Sequence, residues 1–285
     1  MTERVLVVGG TGTVGRHVIA ELLANDTVVR ALARNPDACQ LPSQVEVVRG
    51  DLTRPDTLDS CLSGADTVFL VWTAPAESVV NALERITRQA RRIVFLSAPL
   101  KTPHPLFQQP NAGRALAEQI ERLIEASGVH WTFLRPGMFA ANALRWWMPQ
   151  IRAGDVVRWP YLSVPTAPID ERDIATVVVR ALREDGHRGA EYVLTGPESL
   201  THLEQLTTIA RVIGRPLRIE ELSPAEAPQA LRSILPPPVL TMLMNAWAAA
   251  IGHPAVVTST FTDIAGRPAR SFATWVADHA AQFAA

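Results

Sequence analysis

The 285-residue sequence predicts an α/β protein with a doubly wound parallel sheet and a smaller, mostly helical C-terminal region. Three observations predict this fold. Short apolar runs alternate with amphipathic stretches, a glycine-rich turn joins the first run to the first helical stretch, and the alternation stops after Pro136. Short continuous apolar runs are typical of strands that helices cover on both faces of a parallel sheet. A chain of this length accommodates one large domain together with a smaller one.

The apolar runs and helical stretches follow one another in the order expected of repeated strand–helix–strand units. Gly128 follows the last helical stretch, at the position where a helix C-terminus favours glycine. The predicted strands are residues 5–8, 27–33, 45–48, 67–71, 93–96 and 131–134, with a later one at 191–194. The predicted helices of this part are residues 14–24, 56–62, 78–89 and 114–127.

Polar residues at several predicted helix starts have structural explanations. A hydroxyl three residues before a carboxylate can satisfy free backbone N–H groups at a helix N-terminus. This spacing occurs at Thr53 with Asp56, Thr201 with Glu204, and Ser223 with Glu226. Asp170, Arg172 and Asp173 could form an acid–base cluster. The simpler interpretation is that Asp170 caps the next helix and Asp173 lies in its first turn.

The residues after Pro136 predict the division into domains. Residues 137–168 are rich in aromatic side chains and prolines, which is more typical of pocket-lining loops and short helices than of another repeat. We predict a large domain over residues 1–155, whose sheet is re-entered at about residues 165–195. A smaller region over residues 196–285 would lie on the substrate side.

Composition and charge exclude several classes of function. With 28 acidic and 27 basic residues the net charge is −1, and no block of like charges supplies the basic surface that nucleic acids need. No apolar run approaches the length of a membrane span, and we expect no signal peptide. Cys39 and Cys61 lie in no metal-ligand spacing, so we expect no metal and a reducing cytoplasm. The expected protein is a cytoplasmic monomer or homodimer whose partner is a small molecule.

The stretch GGTGTVG, residues 9–15, predicts a binding site for a dinucleotide. Gly10, Gly12 and Gly15 make G-x-G-x-x-G, while Gly9, Gly12 and Gly15 make G-x-x-G-x-x-G. Between a buried strand and a helix, such glycines permit a tight turn and let the backbone approach a pyrophosphate. The helix N-terminus supplies free N–H groups and a partial positive charge. A Rossmann-type site is therefore favoured over a tight turn that binds nothing.

The end of the second predicted strand indicates which dinucleotide binds. A site for NAD usually has an acidic residue about 20 residues past the glycine turn, which holds the ribose 2′-hydroxyl. Here the strand ends in ALARNP, and Ala33 and Arg34 occupy that place. Because a guanidinium forms forked, charge-assisted hydrogen bonds with phosphate, Arg34 favours NADP(H) over NAD(H). The alternative is a solvated surface arginine.

Asp51 and Leu52 follow the third predicted strand, and two interpretations of them stay open. In the first, the short acidic side chain and Leu52 border the adenine of the dinucleotide. In the second, Asp51 simply turns the chain before Thr53 caps the next helix.

Seven motifs spread over the chain carry a resemblance to a known family. The motifs are VLVVGGTGTVG, VRALARNP, GDL, RRIVFLSA, ERLIEASGVHWTFLRPGMF, PIDERDIA and YVLTGPESLT. Together they resemble the NmrA-like, atypical branch of the short-chain dehydrogenase/reductase superfamily, and the likeness covers nearly the whole chain. The branch contains quinone and enone reductases, relatives of the plant isoflavone-type reductases, and regulators that bind NADP without turning over a substrate.

The resemblance implies roles for the matching positions. Its phosphate loop would consist of Gly9, Gly12, Thr13, Val14 and Gly15. The nicotinamide end of the cofactor would be bordered by Thr73, Ser97, Pro136, Gly137 and Met138. Arg34 would meet the 2′-phosphate, and the segment from Phe139 onward, with Asn142, would line a substrate pocket.

The usual proton donor of the superfamily, a tyrosine four residues before a lysine, is missing. The only tyrosines are Tyr161 and Tyr192, and the only lysine is Lys101. In the helix where the pair belongs the sequence reads NAGRALAEQIE, with Gly113 and Ala117 near the expected places. The lysine that the isoflavone-type relatives use is absent from this helix too. Because the chain lacks the tyrosine and the lysine at these places, the tyrosine–lysine mechanism is excluded.

Ser97 and His104 are the remaining candidates for a proton donor. Ser97 ends a strand at the edge where open α/β sheets bind ligands. His104 follows in a proline-rich loop, and an unperturbed histidine exchanges protons near neutral pH. In the alternative interpretations of Ser97, it contacts the ribose or the substrate, or it only ends the strand. The alternative for His104 is that it is a surface residue.

An electron-poor acceptor removes the need for a protein acid. A quinone or conjugated enone held against the nicotinamide can take its proton from water. Trp146, Trp147, Trp159 and Tyr161 suit a planar, apolar substrate, although tryptophans near prolines also pack small domains. We therefore predict an NADP(H)-dependent reductase of a mid-sized quinone, enone or ketone. The alternatives are a non-catalytic NADP(H) sensor and a fold relative that performs a non-redox cyclisation or isomerisation.

Overall fold

The chain divides into two units in the computed structural model, which describes residues 4–284. The first unit consists of residues 4–98, 112–136 and 171–193, and the second of residues 99–111, 137–170 and 194–284. The predicted division at residues 155 and 196 differs from this one. Residues 99–111 and 137–155 fold with the second unit, because Leu106, Trp146 and Ile151 lie in its hydrophobic core.

A seven-stranded sheet within the described residues confirms the predicted fold class. The strands of the chain are β1 (Arg4–Val8), β2 (Val28–Ala33), β3 (Glu46–Arg49), β4 (Thr67–Leu70), β5 (Arg92–Leu96), β6 (His130–Pro136), β7 (Val156–Pro160), β8 (Pro165–Thr166), β9 (Ala190–Leu194), β10 (Leu200–Thr201) and β11 (Arg218–Leu222). The sheet has the order β3-β2-β1-β4-β5-β6-β9, and its pairings from β3 to β6 are all parallel. The order reverses between β1 and β4, as in a doubly wound sheet.

Helices connect the strands throughout the chain. They are α1 (Thr13–Ala24), α2 (Leu58–Leu62), α3 (Val79–Gln89), α4 (Pro105–Gln108), α5 (Ala112–Ala126), α6 (Asn142–Trp146), α7 (Met148–Ala153), α8 (Glu171–Arg183), α9 (His202–Val212), α10 (Ala227–Ala230), α11 (Pro237–Ala250), α12 (Thr260–Ala265), α13 (Phe272–Asp278) and α14 (Ala280–Phe283). Single 3₁₀ turns lie at Pro36–Ala38, Pro55–Thr57 and Ala76–Ser78. None of the described helices is long and apolar enough to cross a membrane.

Helices cover both faces of the sheet in the first unit. Leu6 and Val8 of β1 pack with residues of α2, α3 and α5 in one core. Helices α1 and α8 pack against each other, and α8 also contacts β4, β5 and β6. Because successive strand residues point to opposite faces, Val5 and Val7 are fully buried on the other side of β1. Burial on both faces explains why these strands read as continuous apolar runs.

The second unit builds its core from aromatic and aliphatic side chains on short elements. Strands β7 and β11 pair in parallel, and β8 pairs with β10 antiparallel. Trp147, Trp159, Trp247 and Trp275 are fully buried in this core. The tryptophans supply large apolar areas that the small sheets and short helices cannot supply alone.

The predicted capping pairs have three different outcomes. Thr201 and Glu204 form the complete capping box at the start of α9, which confirms that prediction. Ser223 and Glu226 bond to each other, but α10 begins after them at Ala227, so the pair closes a turn. The prediction for Thr53 is wrong, because its hydroxyl and its backbone N–H both donate to Asp51, and the next helical turn begins at Pro55 without a side-chain cap.

Candidate cofactor and substrate sites

The glycine turn after β1 forms a cradle that only bare backbone can provide. The N–H of Gly12 donates to the carbonyl of Gly9 at 3.0 Å, and Gly9 has a φ of +90°. A Cβ on Gly15 would collide with the Gly9 carbonyl, and one on Gly10 would lie 2.8 Å from Ile19. Helix α1 begins at Thr13 without a side-chain cap on its free N–H groups. The cradle therefore fits a pyrophosphate, since the uncapped helix N-terminus supplies donors and positive potential.

The cradle lies where the strand order reverses. A Cβ on Gly9 would be 2.9 Å from the Cβ of Val71, so the turn after β1 lies directly against the residue that follows β4. Open α/β sheets bind ligands at this point, outside the carboxyl ends of the strands. Thr73 follows β4 as an exposed residue, as its predicted place beside the nicotinamide ribose requires. The indole of Trp72 donates to the Ala74 carbonyl at 2.7 Å and fixes the turn that carries Thr73.

Two arginines lie together at the carboxyl ends of β2 and β3. Arg34 is exposed directly after β2, and its carbonyl accepts a hydrogen bond from the guanidinium of Arg49 at 3.2 Å. Sequence reasoning missed Arg49, although the alternation of β3 and its end position mark it as a residue at the same edge. It also missed Arg16, whose Nε donates to the Thr11 carbonyl at 2.9 Å and so places a cation on the glycine turn.

The structure supports the turn at Asp51 in the second interpretation, but not the helix cap at Thr53. Oδ1 of Asp51 accepts hydrogen bonds from the N–H and the hydroxyl of Thr53, both at 2.8 Å. The backbone bond from Thr53 lowers the pKa of Asp51, so the carboxylate stays ionised and closes the turn. Leu52 is 3% exposed and packs in the core of the first unit. Its predicted contact with an adenine would need an exposed side chain, so that assignment is corrected.

A buried network of charged residues reaches Ser97 at the end of β5. Arg135 of β6 donates from Nε to Oε1 of Glu121 at 3.0 Å and from Nη2 to Oε2 at 2.6 Å. Its third donor, Nη1, reaches Glu191 at 2.6 Å. Burial alone would lower the pKa of Arg135, but the hydrogen bonds and charges of the two carboxylates raise it. The guanidinium is therefore charged and paired on both sides, as a buried charge requires.

The hydrogen bond from Ser97 to this network limits the chemical roles open to its hydroxyl group. Its hydroxyl donates to Oε1 of Glu121 at 2.6 Å, and an ionised carboxylate can only accept. Ser97 has one hydroxyl hydrogen, so the oxygen is left with lone pairs toward a ligand. This corrects its predicted role as a proton donor to substrate. It remains a candidate acceptor for a ribose hydroxyl or a carboxamide N–H group.

His104 is a structural residue in the second unit, which corrects its predicted catalytic role. Its Nδ1 accepts the N–H of Leu106 at 3.2 Å and so caps α4, while Nε2 lies 2.9 Å from the carbonyl of Pro254. Burial lowers the pKa of His104, and the charge of His253 lowers it further, although the bond to Pro254 opposes them. A neutral ring with both nitrogens engaged is not available as an acid or base.

The chain enters the second unit after Pro136, which is buried at the end of β6. The N–H of Gly137 donates to the carbonyl of Leu194 at 2.9 Å, and Ile169 bonds to Met138 at 2.9 Å. Gly137, Met138, Phe139 and Asn142 are each half-buried, so each keeps the exposed surface that its predicted role requires. Their roles beside the nicotinamide and in a substrate pocket stay predictions.

The predicted pocket tryptophans fill the core of the second unit instead. Trp147 and Trp159 have no exposed surface, and their ring centroids are 5.8 Å apart. Trp146 is 5% exposed and stacks on Trp159 at 5.5 Å. These indoles therefore cannot line a pocket, which agrees with the alternative that tryptophans pack a small domain. Tyr161 is half-buried and does line a cavity.

The acidic residues near residue 170 lie at the start of a helix, which confirms the predicted place of Asp173, while the cap by Asp170 stays a prediction. Helix α8 starts at Glu171, and Glu171 and Asp173 lie in its first turn, where the helix dipole favours negative charge. Asp170 precedes the helix and is 1% exposed. Among residues 4–284 no group of three or more histidine, cysteine, aspartate or glutamate side chains could hold a metal ion.

Comparison with known proteins identifies the family of the chain. Residues 9–185 match the NAD(P)H-binding family. A (4-alkanoyl-5-oxo-2,5-dihydrofuran-3-yl)methyl phosphate reductase from Streptomyces griseus is 40% identical over 287 residues, which cover 98% of this chain and 99% of that protein. An NAD(P)H azoreductase from Xenophilus azovorans is 34% identical over 289 residues, which cover 99% of each chain.

Solved structures show the same fold. Triphenylmethane reductase from Citrobacter sp., complexed with NADP(H), has a TM-score of 0.83 at 18% identity and covers 97% of this chain and 99% of that one. NADPH-dependent quinone oxidoreductase from Escherichia coli, complexed with NADPH, has a TM-score of 0.82 at 24% identity and covers 96% and 99%. The chain therefore belongs to the NAD(P)H-binding family, in the NmrA-like, atypical branch of the short-chain dehydrogenase/reductase superfamily.

Proposed function

We propose that this protein is an NADPH-dependent reductase of electron-poor acceptors such as conjugated enones and quinones. When bound, a dihydronicotinamide cofactor supplies a hydride, which is the chemistry of this family of cofactors. The residues of the first unit would hold the dinucleotide through the glycine cradle, Arg34, Thr73 and Ser97. The free cysteines, Cys39 and Cys61, fit a reducing compartment such as the cytoplasm.

The observation that carries this proposal is the commitment of the hydroxyl hydrogen of Ser97 to Glu121 at 2.6 Å. His104 is engaged at both ring nitrogens, and the chain has no tyrosine–lysine pair at Gly113 and Ala117. Reduction of an unactivated ketone needs an acid to protonate the developing alkoxide. An acceptor whose electrons spread over conjugated carbonyl groups can take its proton from water, so such acceptors match these residues.

The similar proteins act on acceptors of this electron-poor kind. The name of the Streptomyces griseus reductase describes a ring carbon–carbon double bond conjugated with a lactone carbonyl and an alkanoyl group. In such a compound a hydride would add to the ring carbon that bears the methyl phosphate, and the carbon between the two carbonyl groups would take a proton, because those carbonyl groups stabilise the negative charge. Because the two chains are 40% identical over nearly their whole lengths, we propose an acyl-butenolide phosphate as the first acceptor to test.

Arg34 and Arg49 support the choice of NADPH over NADH. Arg34 is exposed at the carboxyl end of β2, and no acidic residue precedes it at the end of that strand. Arg34→Ala should raise the dissociation constant for NADPH by about tenfold to a hundredfold, the range of one or two charge-assisted hydrogen bonds. The constant for NADH should change less than twofold, and fluorescence titration measures both. Equal losses for the two cofactors would contradict the assignment of Arg34 to the 2′-phosphate.

The activity itself is tested by following NADPH oxidation with a panel of acceptors. The panel contains an acyl-butenolide phosphate, menadione, an azo dye and an unactivated ketone. We expect turnover of the conjugated acceptors and none of the ketone. Tight binding of NADPH without turnover of any acceptor would favour the alternative of a non-catalytic NADP(H) sensor. Failure to bind NADPH would contradict both the reductase and the sensor hypotheses.

A further inference from the structure

A cavity of about 320 Å³ lies within the second unit, beside α10 and α11. Its apolar wall includes Leu240 and Met244 of α11 and Pro237 at the start of that helix. Tyr161 forms another side, and Arg232 and Asn245 add polar groups. The volume is at the lower end of the range of small-molecule sites, which are mostly apolar with a few placed polar groups.

The charge of the cavity is positive and unopposed. No residue that lines it carries a carboxylate. Arg232 is exposed and forms neither an ion pair nor a hydrogen bond among residues 4–284. A guanidinium offers forked donors that match a phosphate or carboxylate. The wall of apolar side chains and the free guanidinium together fit a molecule with one apolar and one anionic end.

Tyr161 is held in place by its backbone, which is strained. Its φ is +53°, in the left-handed region that non-glycine residues rarely adopt. The carbonyl of Tyr161 accepts hydrogen bonds from Nδ1 of the buried His202 at 3.0 Å and from the N–H of Val164 at 3.1 Å. Such strain persists only where the surroundings over-determine it, and it concentrates at ligand sites. The phenol hydroxyl bonds to no described residue, so it is free to donate to a ligand.

We propose that this cavity binds an amphiphilic anion, a molecule with an alkyl or acyl chain and a phosphate group. The alkyl or acyl group of the ligand would lie on Leu240, Met244 and Pro237, and its phosphate would bind Arg232. The proposal rests on the proposed function only where it identifies this ligand with the acceptor of the reductase, because an acyl-butenolide phosphate carries both groups. Binding itself is independent of cofactor and of turnover.

Calorimetric titration of the full chain with octyl phosphate, below its micelle concentration, tests binding directly. The proposal expects octyl phosphate to bind, and inorganic phosphate and octanol to bind at least tenfold more weakly, since each lacks one of the two groups. Arg232→Ala should weaken octyl phosphate about tenfold, the loss expected from one charge-assisted contact. Met244→Gln, on the apolar wall, should weaken it by a similar factor. Inorganic phosphate that binds as tightly as octyl phosphate would overturn the proposal.

Arg211→Ala is the matched control, because Arg211 is an exposed arginine of the same unit that does not line the cavity. This variant should bind octyl phosphate as the wild-type protein does. An equal loss in Arg211→Ala and Arg232→Ala would show only a general charge effect and would overturn the site. Unchanged binding in Arg232→Ala would do the same.

Steady-state kinetics tests whether the ligand is the acceptor. Arg232→Ala should raise KM for an acyl-butenolide phosphate about tenfold and leave KM for menadione within twofold, since menadione has no anionic group. An equal change for both acceptors would overturn the identification of the ligand with the acceptor. If the wild-type protein oxidises NADPH with neither acceptor, the proposed function is wrong. The octyl phosphate titration still tests whether the cavity binds an amphiphilic anion.

Discussion

The two units bury ionisable side chains in opposite ways. In the first unit Arg135 lies between Glu121 and Glu191, and all three donor groups of its guanidinium have a carboxylate oxygen within 3.0 Å. In the second unit His202 is fully buried among indole rings, with Trp247 at a centroid distance of 5.0 Å. The arginine stays charged, whereas burial lowers the pKa of His202 to about 4.

The difference shows that a buried group stays charged only where partners of opposite charge outweigh the effect of burial. Nδ1 of His202 bonds to the Tyr161 carbonyl, but its Nε2 has no partner among the described residues, and neither do the indole nitrogens of Trp147, Trp159 and Trp247. A protonated Nε2 would therefore be a buried donor without an acceptor, which is costly. Each cluster also fixes a residue at a site: the charged one orients Ser97, and the aromatic one holds Tyr161.

Removal of Arg135 should have the largest effect, because it leaves the buried carboxylate of Glu121 without its cation. Arg135→Met should lower the free energy of unfolding by about 3–5 kcal/mol, as is typical when one partner of a buried ion pair is lost. Urea denaturation followed by circular dichroism measures this change. Arg158→Met is the matched control, since the Arg158–Glu220 pair at 2.7 Å is exposed to solvent and should contribute little to stability. Equal losses in the two variants would mean that the buried network has no special role.

Acid should destabilise the second unit through His202. Because the folded-state pKa of about 4 lies below the unfolded value of 6.5, the unfolded chain binds more protons between these values. The stabilisation is complete above pH 6.5 and is lost as the pH falls toward 4. The total should be about 3 kcal/mol, with a slope of about 1.4 kcal/mol per pH unit. Urea denaturation at a series of pH values measures this slope.

His202→Asn is the variant that isolates this effect. Its amide can still donate to the Tyr161 carbonyl, but it does not titrate. The slope between pH 6.5 and 4 should fall by about 1.4 kcal/mol per pH unit. A smaller slope of the same sign remains, because burial also lowers the pKa of His104 and of His187. An unchanged slope in His202→Asn would contradict the neutral, buried state of His202.

The parts of the site that sequence could predict are those made by neighbouring residues. The strand, the glycines and the helix that follows form one continuous segment, so the cradle at residues 9–15 was predictable from spacing. The sheet was predictable too, since each buried strand is a local apolar run. The capping box at Thr201 and Glu204 is equally local, and the structure confirms it.

The parts that depend on distant residues were not predicted. Glu121 and Arg135 are 14 positions apart, and Glu191 is 56 positions beyond Arg135. Their signal was present in the sequence, because Glu121 lies between Ile120 and Ile124 on a buried helix face and Arg135 lies one residue before the end of β6. The roles of the tryptophans were also undecidable, since an indole suits a pocket wall and a core equally until its exposure is known.

Ser97→Ala should have the smallest effect on stability and separates the two roles of this residue. Loss of its bond to Glu121 should lower the free energy of unfolding by about 1 kcal/mol. If Ser97 only accepts a hydrogen bond from the cofactor, KM for NADPH rises about fivefold to tenfold and kcat for a conjugated acceptor changes less than threefold. Ser60→Ala, which removes a hydroxyl that bonds to the Thr57 carbonyl, is the control and should change neither constant. A hundredfold loss of kcat in Ser97→Ala alone would restore Ser97 as the proton donor. The charged network around Arg135 would then take part in proton transfer. The neutral aromatic cluster around His202 would keep a structural role only.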